Sequence, residues 1–207
     1  MPASLPPLWL WRTAGWLCGL APLVWLGLLS LRGQLGANPV EALEHYTGGW
    51  ALRLLLLSLA MTPLQRLLHR TEPVAIRRLI GLWAYAYACL HVAIYLVFDL
   101  SLSPAQLAED LVERRYILAG FTAWLLLLPL AVTSTRAWQH RLRRRWKQLH
   151  RLIYPAAVLA TVHFLWLVKS DLREPLIYLA VLVALLALRL RKRRANGTSA
   201  AAALGVD

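Results

Sequence analysis

Residues 79–98 read Leu-Ile-Gly-Leu-Trp-Ala-Tyr-Ala-Tyr-Ala-Cys-Leu-His-Val-Ala-Ile-Tyr-Leu-Val-Phe. No Asp, Glu, Lys or Arg interrupts them, and His91 stands inside the run. A helix rises about 1.5 Å per residue, so some twenty apolar residues cover the roughly 30 Å of a bilayer's hydrocarbon. The stretch is predicted to be a membrane-spanning helix, because only helices and closed barrels satisfy their backbone there.

Outward from it lie five further candidate runs: Leu8–Leu31, Trp50–Leu68, Tyr116–Thr133, Leu152–Val168 and Pro175–Leu188. Period-two alternation, the mark of a membrane barrel, is absent. The chain is 59% hydrophobic with mean hydropathy +0.52, too apolar for a soluble domain of 207 residues. The expected fold is an all-α integral membrane protein, a bundle of six transmembrane helices over residues 8–191. An Ala/Gly/Ser-rich tail, 195–207, is expected to be disordered. Outer loops are expected over Arg32–Gly49 and Asp99–Arg115, the second with a short interfacial helix after Ser103-Pro104. Pro63, Pro129 and Pro155 are expected at kinks or helix ends.

The net charge of +13 is unevenly placed. Arg66, Arg70, Arg77 and Arg78 lie between runs two and three. A larger cluster, from Arg136 to Arg151, lies between runs four and five, and Arg189 to Arg194 follow run six. Eight of the ten acidic residues fall on the opposite side: Glu41, Glu44, Asp99, Glu109, Asp110, Glu113, Asp171 and Glu174. The positive-inside rule then puts both termini in the cytoplasm. The basic loops read as membrane topology and contact with anionic lipid, not as nucleic-acid binding. Cys18 and Cys89 both lie within runs, which argues against a disulfide framework, and no Cys-x-x-Cys-His attaches a haem covalently.

An imidazole in hydrocarbon is costly, so an intramembrane histidine is a functional hypothesis by default. His91 lies 12 residues beyond Leu79 and His163 lies 11 beyond Leu152. With both helices running outward, the two histidines reach nearly the same depth, about 17–18 Å in. Neutral imidazoles facing each other at one depth suit the axial positions of one haem iron. The competing reading is a hydrogen-bonded bridge between helices. His150 lies 13 residues before His163, about 20 Å nearer the cytoplasm. At its depth run three offers Arg77 and Arg78, which suit haem propionates or a flavin phosphate. His150 also reads as an ordinary interfacial residue. His45, His69 and His140 read as solvated loop residues.

No nucleotide-binding motif is present, so electron donor and acceptor have to come from elsewhere. No internal repeat is evident, which weighs against a transporter. A proton-coupled transporter using the histidines nonetheless remains the second function class.

Arg77-Arg78-Leu79-Ile80-Gly81-Leu82-Trp83 with Leu90-His91 resembles a span of the MsrQ family. So do Trp146-Lys147-Gln148-Leu149-His150-Arg151-Leu152-Ile153-Tyr154 and His163-Phe164-Leu165-Trp166 with Lys169, and so do His45-Tyr46-Thr47-Gly48 and Thr62-Pro63-Leu64. The chain also resembles the wider ferric-reductase-like transmembrane group. The resemblance implies a multi-pass subunit of the bacterial inner membrane carrying one or two haem b groups and FMN. It implies electrons from the quinone pool or a cytoplasmic flavin reductase, and a periplasmic molybdopterin partner, MsrP, that reduces methionine sulfoxide. Carried onto this chain, it makes His91 and His163 outer haem ligands and His150 a ligand or cofactor contact near the cytoplasm. Arg77 and Arg78 stand where the wider group has a fourth histidine. A haem subunit for another periplasmic reductase or a metal reductase is the alternative.

Overall fold

A computed structural model describes residues 7–69, 71–168 and 171–203, with side chains through Arg189. Arg70, Lys169, residues 204–207 and the side chains of the basic run after Arg189 lie outside the described residues. Among the described residues the chain is helical and contains no strand. The helices are α1 (Leu8–Leu31), α2 (Pro39–Leu68), α3 (Glu72–Ile94), α4 (Pro104–Glu113), α5 (Arg115–Val132), α6 (Arg136–Leu142), α7 (Arg144–Leu149), α8 (Ile153–Leu167) and α9 (Arg173–Ala203). A π-helical turn, Tyr95–Asp99, extends α3, and a 3₁₀ turn, His150–Leu152, leads into α8.

Among the described residues four stretches are long and apolar enough to cross a membrane: Leu8–Leu31, Pro39–Leu67, Glu72–Asp99 and Arg115–Val132. At 15 residues, α8 is shorter than the roughly 20 that a span needs. The first outer loop is much shorter than expected. α2 begins at Pro39, not near Trp50, because Asn38 caps it by accepting the Glu41 N–H and Pro39 supplies a preset first turn. The short helix expected after Ser103-Pro104 is α4, capped by Ser103 and strongly amphipathic. Pro63 and Pro129 lie in the last two turns of α2 and α5, and Pro155 lies in the first turn of α8. Helical backbone continues in α9 to Ala203; alanine, frequent near its end, has the highest helix propensity.

α1 packs against α3 through a flat face. Gly15 meets the Leu79 side chain and Gly19 lies under the Trp83 indole, so close that a Cβ at 19 would overlap the ring. This small-xxx-small spacing lets membrane helices approach closely. The Tyr87 hydroxyl donates to the Gly19 carbonyl at 2.7 Å and the Tyr46 hydroxyl donates to the Pro22 carbonyl at 3.0 Å. The opposite face of α1, with Leu17, Val24 and Trp25, is exposed, while the Trp16 ring lies edge-on against Trp83 at 5.5 Å. The core lies among α2, α3, α5 and α8. Ala84, Ala156 and Ala157 are buried there and keep the helices close enough to enclose the site.

Candidate functional site

Two cavities lie one above the other inside the bundle. The outer one, of about 220 Å³, is bordered by α2, α3, α5 and α8 and contains His91 and His163. The inner one, of about 820 Å³, contains Arg77, Arg78 and His150. Leu55 and Leu127 line both and form the layer between them. Beside that layer the Trp124 indole donates to the Cys89 thiol at 3.4 Å.

In the outer cavity the rings of His91 and His163 face each other, with centroids 6.2 Å apart and planes crossed at 71°. Metal–nitrogen bonds of about 2 Å and an imidazole radius of about 1.1 Å put two rings on opposite sides of one metal roughly 6 Å apart. Each ring is oriented by a backbone carbonyl. His91 Nδ1 lies 3.0 Å from the Glu44 oxygen and His163 Nδ1 lies 2.7 Å from the Tyr116 oxygen. A carbonyl only accepts, so both Nδ1 atoms carry the proton and both Nε2 atoms keep a free lone pair. Such an outer hydrogen bond is how proteins fix a metal-ligating histidine. Among the described residues no group of three or more His, Cys, Asp or Glu side chains could hold a bare metal ion. Two opposed imidazoles in an apolar cavity fit a metal whose other ligands come with it, as a porphyrin's do.

The two halves of this site repeat. Glu44, Gly48 and His91 correspond to Tyr116, Gly120 and His163, each later by 72 positions (116 against 44, 120 against 48, 163 against 91). The same step relates Leu55 to Leu127 and the buried Ala84 to Ala156. The α2–α3 pair and the α5–α8 pair therefore build equivalent halves. This corrects the expectation of no internal repeat. The halves share too few identical residues to stand out, and their recurring feature is a glycine followed 43 positions later by histidine (48 to 91, 120 to 163).

In the inner cavity the step carries Arg78 onto His150, so the second half has a histidine where the first has an arginine. His150 stacks on Trp146 with centroids 3.9 Å apart, and its Nδ1 lies 3.2 Å from the Trp146 carbonyl. Trp146 is tied in turn to α5, its indole N–H donating to the Thr133 carbonyl at 2.9 Å. Arg77, Arg78, Lys147, Arg151 and Arg189 complete a strongly basic lining. Arg77 also donates to the Thr62 hydroxyl at 3.4 Å.

All five residues singled out in the sequence thus line cavities, in two groups separated by the leucine layer. His69 and His140 are exposed as expected. His45 is also exposed but borders the outer cavity, near Glu44, Asp99 and Arg114. The carbonyls of Glu44 and Tyr116 and the two glycines were not foreseen.

Residues 47–161 match the family described as ferric reductase like transmembrane component. The protein-methionine-sulfoxide reductase heme-binding subunit MsrQ of Xanthomonas campestris pv. campestris is 54% identical over 159 residues, covering 77% of this chain and 73% of that one. Its counterpart in Xanthomonas axonopodis pv. citri is 52% identical over the same length. That of Rhodospirillum rubrum is 48% identical over 190 residues, 89% of this chain and 91% of that one. No solved structure matches the chain. This chain belongs to the MsrQ family of heme-binding subunits, within the ferric-reductase-like transmembrane proteins.

Proposed function

We propose that the protein is a haem b electron-relay subunit of the bacterial inner membrane that serves a periplasmic molybdopterin methionine sulfoxide reductase, MsrP. His91 and His163 would hold an outer haem through their imidazoles. His150, Arg77 and Arg78 contact a second cofactor on the cytoplasmic side, a further haem or FMN, fed by the quinone pool or a cytoplasmic flavin reductase. Six spans, with the His150–Leu152 turn lengthening α8, place both termini in the cytoplasm; the distribution of arginine and lysine supports this orientation.

The observation that carries the proposal is the His91–His163 pair: 6.2 Å between ring centroids, with each Nδ1 on a carbonyl, which leaves each Nε2 lone pair free. A bound haem supplies one-electron chemistry at its iron. The chain's own residues hold it. The two carbonyls fix the imidazole tautomers and raise their basicity, and the apolar walls keep water away. In the inner cavity the guanidinium groups bind carboxylate or phosphate, and the Trp146–His150 stack offers a flat aromatic surface. Sulfoxide reduction belongs to the partner.

The test is an optical and pyridine-haemochrome assay of wild type and of His91→Ala, His163→Ala and His150→Ala. Wild type should be red with a reducible Soret band, and the first two variants should lose the outer haem. A colourless wild type from haem-sufficient cells overturns the proposal, and unchanged haem content in both outer variants overturns the ligand assignment.

A further inference from the structure

Gly48 and Gly120 lie within α2 and α5, where glycine costs about 1 kcal/mol relative to alanine. Neither has a positive φ; among the described glycines only Gly33 and Gly36 do. Backbone freedom therefore does not explain them. Their surroundings do. Each stands four residues after the carbonyl that receives a histidine Nδ1–H: Glu44 before Gly48, Tyr116 before Gly120. In an α-helix the Cβ of residue i+4 tilts toward the N-terminus, over the turn that carries residue i. A side chain at 48 or 120 would thus stand where the imidazole reaches the carbonyl. A Cβ at 120 would lie 2.7 Å from His163 Nδ1 and 2.9 Å from its Cε1. A Cβ at 48 would lie 3.1 Å from both Nδ1 and Cε1 of His91. No other glycine among the described residues meets a histidine ring.

We propose that Gly48 and Gly120 are positioning residues for the outer haem, each opening the carbonyl four residues earlier to one axial imidazole and together holding the ring planes crossed at 71°. This rests on the axial-ligand assignment of His91 and His163. The glycines touch no substrate. They act through the two ligands, and their repetition in both halves sets the angle between them. Ligand orientation tunes a haem's electronic structure: steeply crossed imidazole planes leave the iron's π-type d orbitals nearly degenerate and make the ferric low-spin signal strongly anisotropic.

The experiment compares the full-length chain, purified from haem-sufficient cells, with Gly48→Ala, Gly120→Ala and the control Gly27→Ala. A Cβ at 27 meets nothing within 4 Å. The readouts are haem per protein and the low-temperature EPR spectrum of the oxidised protein. Wild type and Gly27→Ala should give the same strongly anisotropic low-spin signal. Gly120→Ala should lower haem affinity about 10-fold or more, the range for loss of a ligand-orienting contact. Gly48→Ala, which asks its histidine to yield less, should keep more haem but shift the signal. Should Gly120→Ala fail to fold, Gly48→Ala decides. Wild-type haem content and spectrum in the folded glycine variants overturn the positioning role. Wild-type haem in His91→Ala and His163→Ala overturns the ligand assignment beneath it, so the two failures are distinguishable.

Discussion

The outer and inner cavities sit on one pseudo-symmetric frame, yet they hold their histidines differently. In the outer cavity each imidazole reaches across to another helix and is fixed there by a carbonyl 47 positions away. In the inner cavity the single histidine bonds the carbonyl four residues before it and stacks on the same residue's ring. The outer cavity is small and its pair is opposed; the inner is nearly four times larger (820 against 220 Å³) and basic. On the proposed reading the contrast separates two ways of holding a cofactor. Long-range contacts preorganise a ligand pair and specify a metal, whereas a wide basic pocket anchors a group by its charge and tolerates variation in the rest.

The largest predicted effect tests whether the two levels are independent. His163→Ala or His91→Ala should remove the outer haem completely, seen as loss of the low-spin signal and of the corresponding Soret absorbance. His150→Ala should leave that signal unchanged. If His150→Ala also abolishes it, the levels are coupled and the comparison breaks. Next in size is Arg78→His, which places a histidine at the position related by the 72-residue step to His150. If the step is a true structural register, this variant should bind up to one further low-spin haem per chain, measured as haem per protein and as a second spectral component. Unchanged stoichiometry and spectrum would limit the symmetry to the outer level.

Much of this was legible in the sequence, for identifiable reasons. Apolar runs fix helices because hydrocarbon leaves the backbone no alternative, so α1 and α5 follow closely from residues 8–31 and 116–133, whereas α3 begins at Glu72, seven residues before the apolar run 79–98. Depth along a helix follows from its constant rise, so counting residues brought His91 level with His163. The start of α2 was missed because Glu41, Glu44 and His45 interrupt the apolar pattern there, while the Asn38-Pro39 cap that begins the helix is a local signal. The halves of the site were missed for a different reason. Their agreement lies in backbone oxygens and in two absent side chains, and neither leaves an apolar pattern. Only the recurrence of glycine and histidine at one spacing encodes it.

A smaller effect tests the local way in which the inner histidine is held. Trp146→Phe keeps an aromatic ring against His150 and removes the indole N–H that reaches the Thr133 carbonyl. Thr133 caps the C-terminal end of α5, where carbonyls have no partner within the helix. Losing this donor should therefore cost about 1–3 kcal/mol, read from thermal unfolding in detergent. The outer haem spectrum should stay unchanged. A spectral shift would show that the leucine layer does not isolate the levels.

The smallest effect falls outside both cavities. Tyr87→Phe removes the hydroxyl that donates to the Gly19 carbonyl at 2.7 Å, a buried hydrogen bond comparable in length to those at the site. Gly19 lies inside α1, where its carbonyl also accepts a helical N–H four residues later. The acceptor is then not orphaned, unlike Thr133, and the cost should be only about 0.6 kcal/mol, the average for hydrogen bonds between membrane helices. Haem content and EPR signal should match wild type, because Tyr87 joins α1 to α3 and touches neither imidazole. A loss of haem in this variant would mean that α1 docking helps set the position of α3, and with it His91. The outer site would then depend on three helices in its first half and two in its second, and its two-fold character would be confined to the groups around the rings.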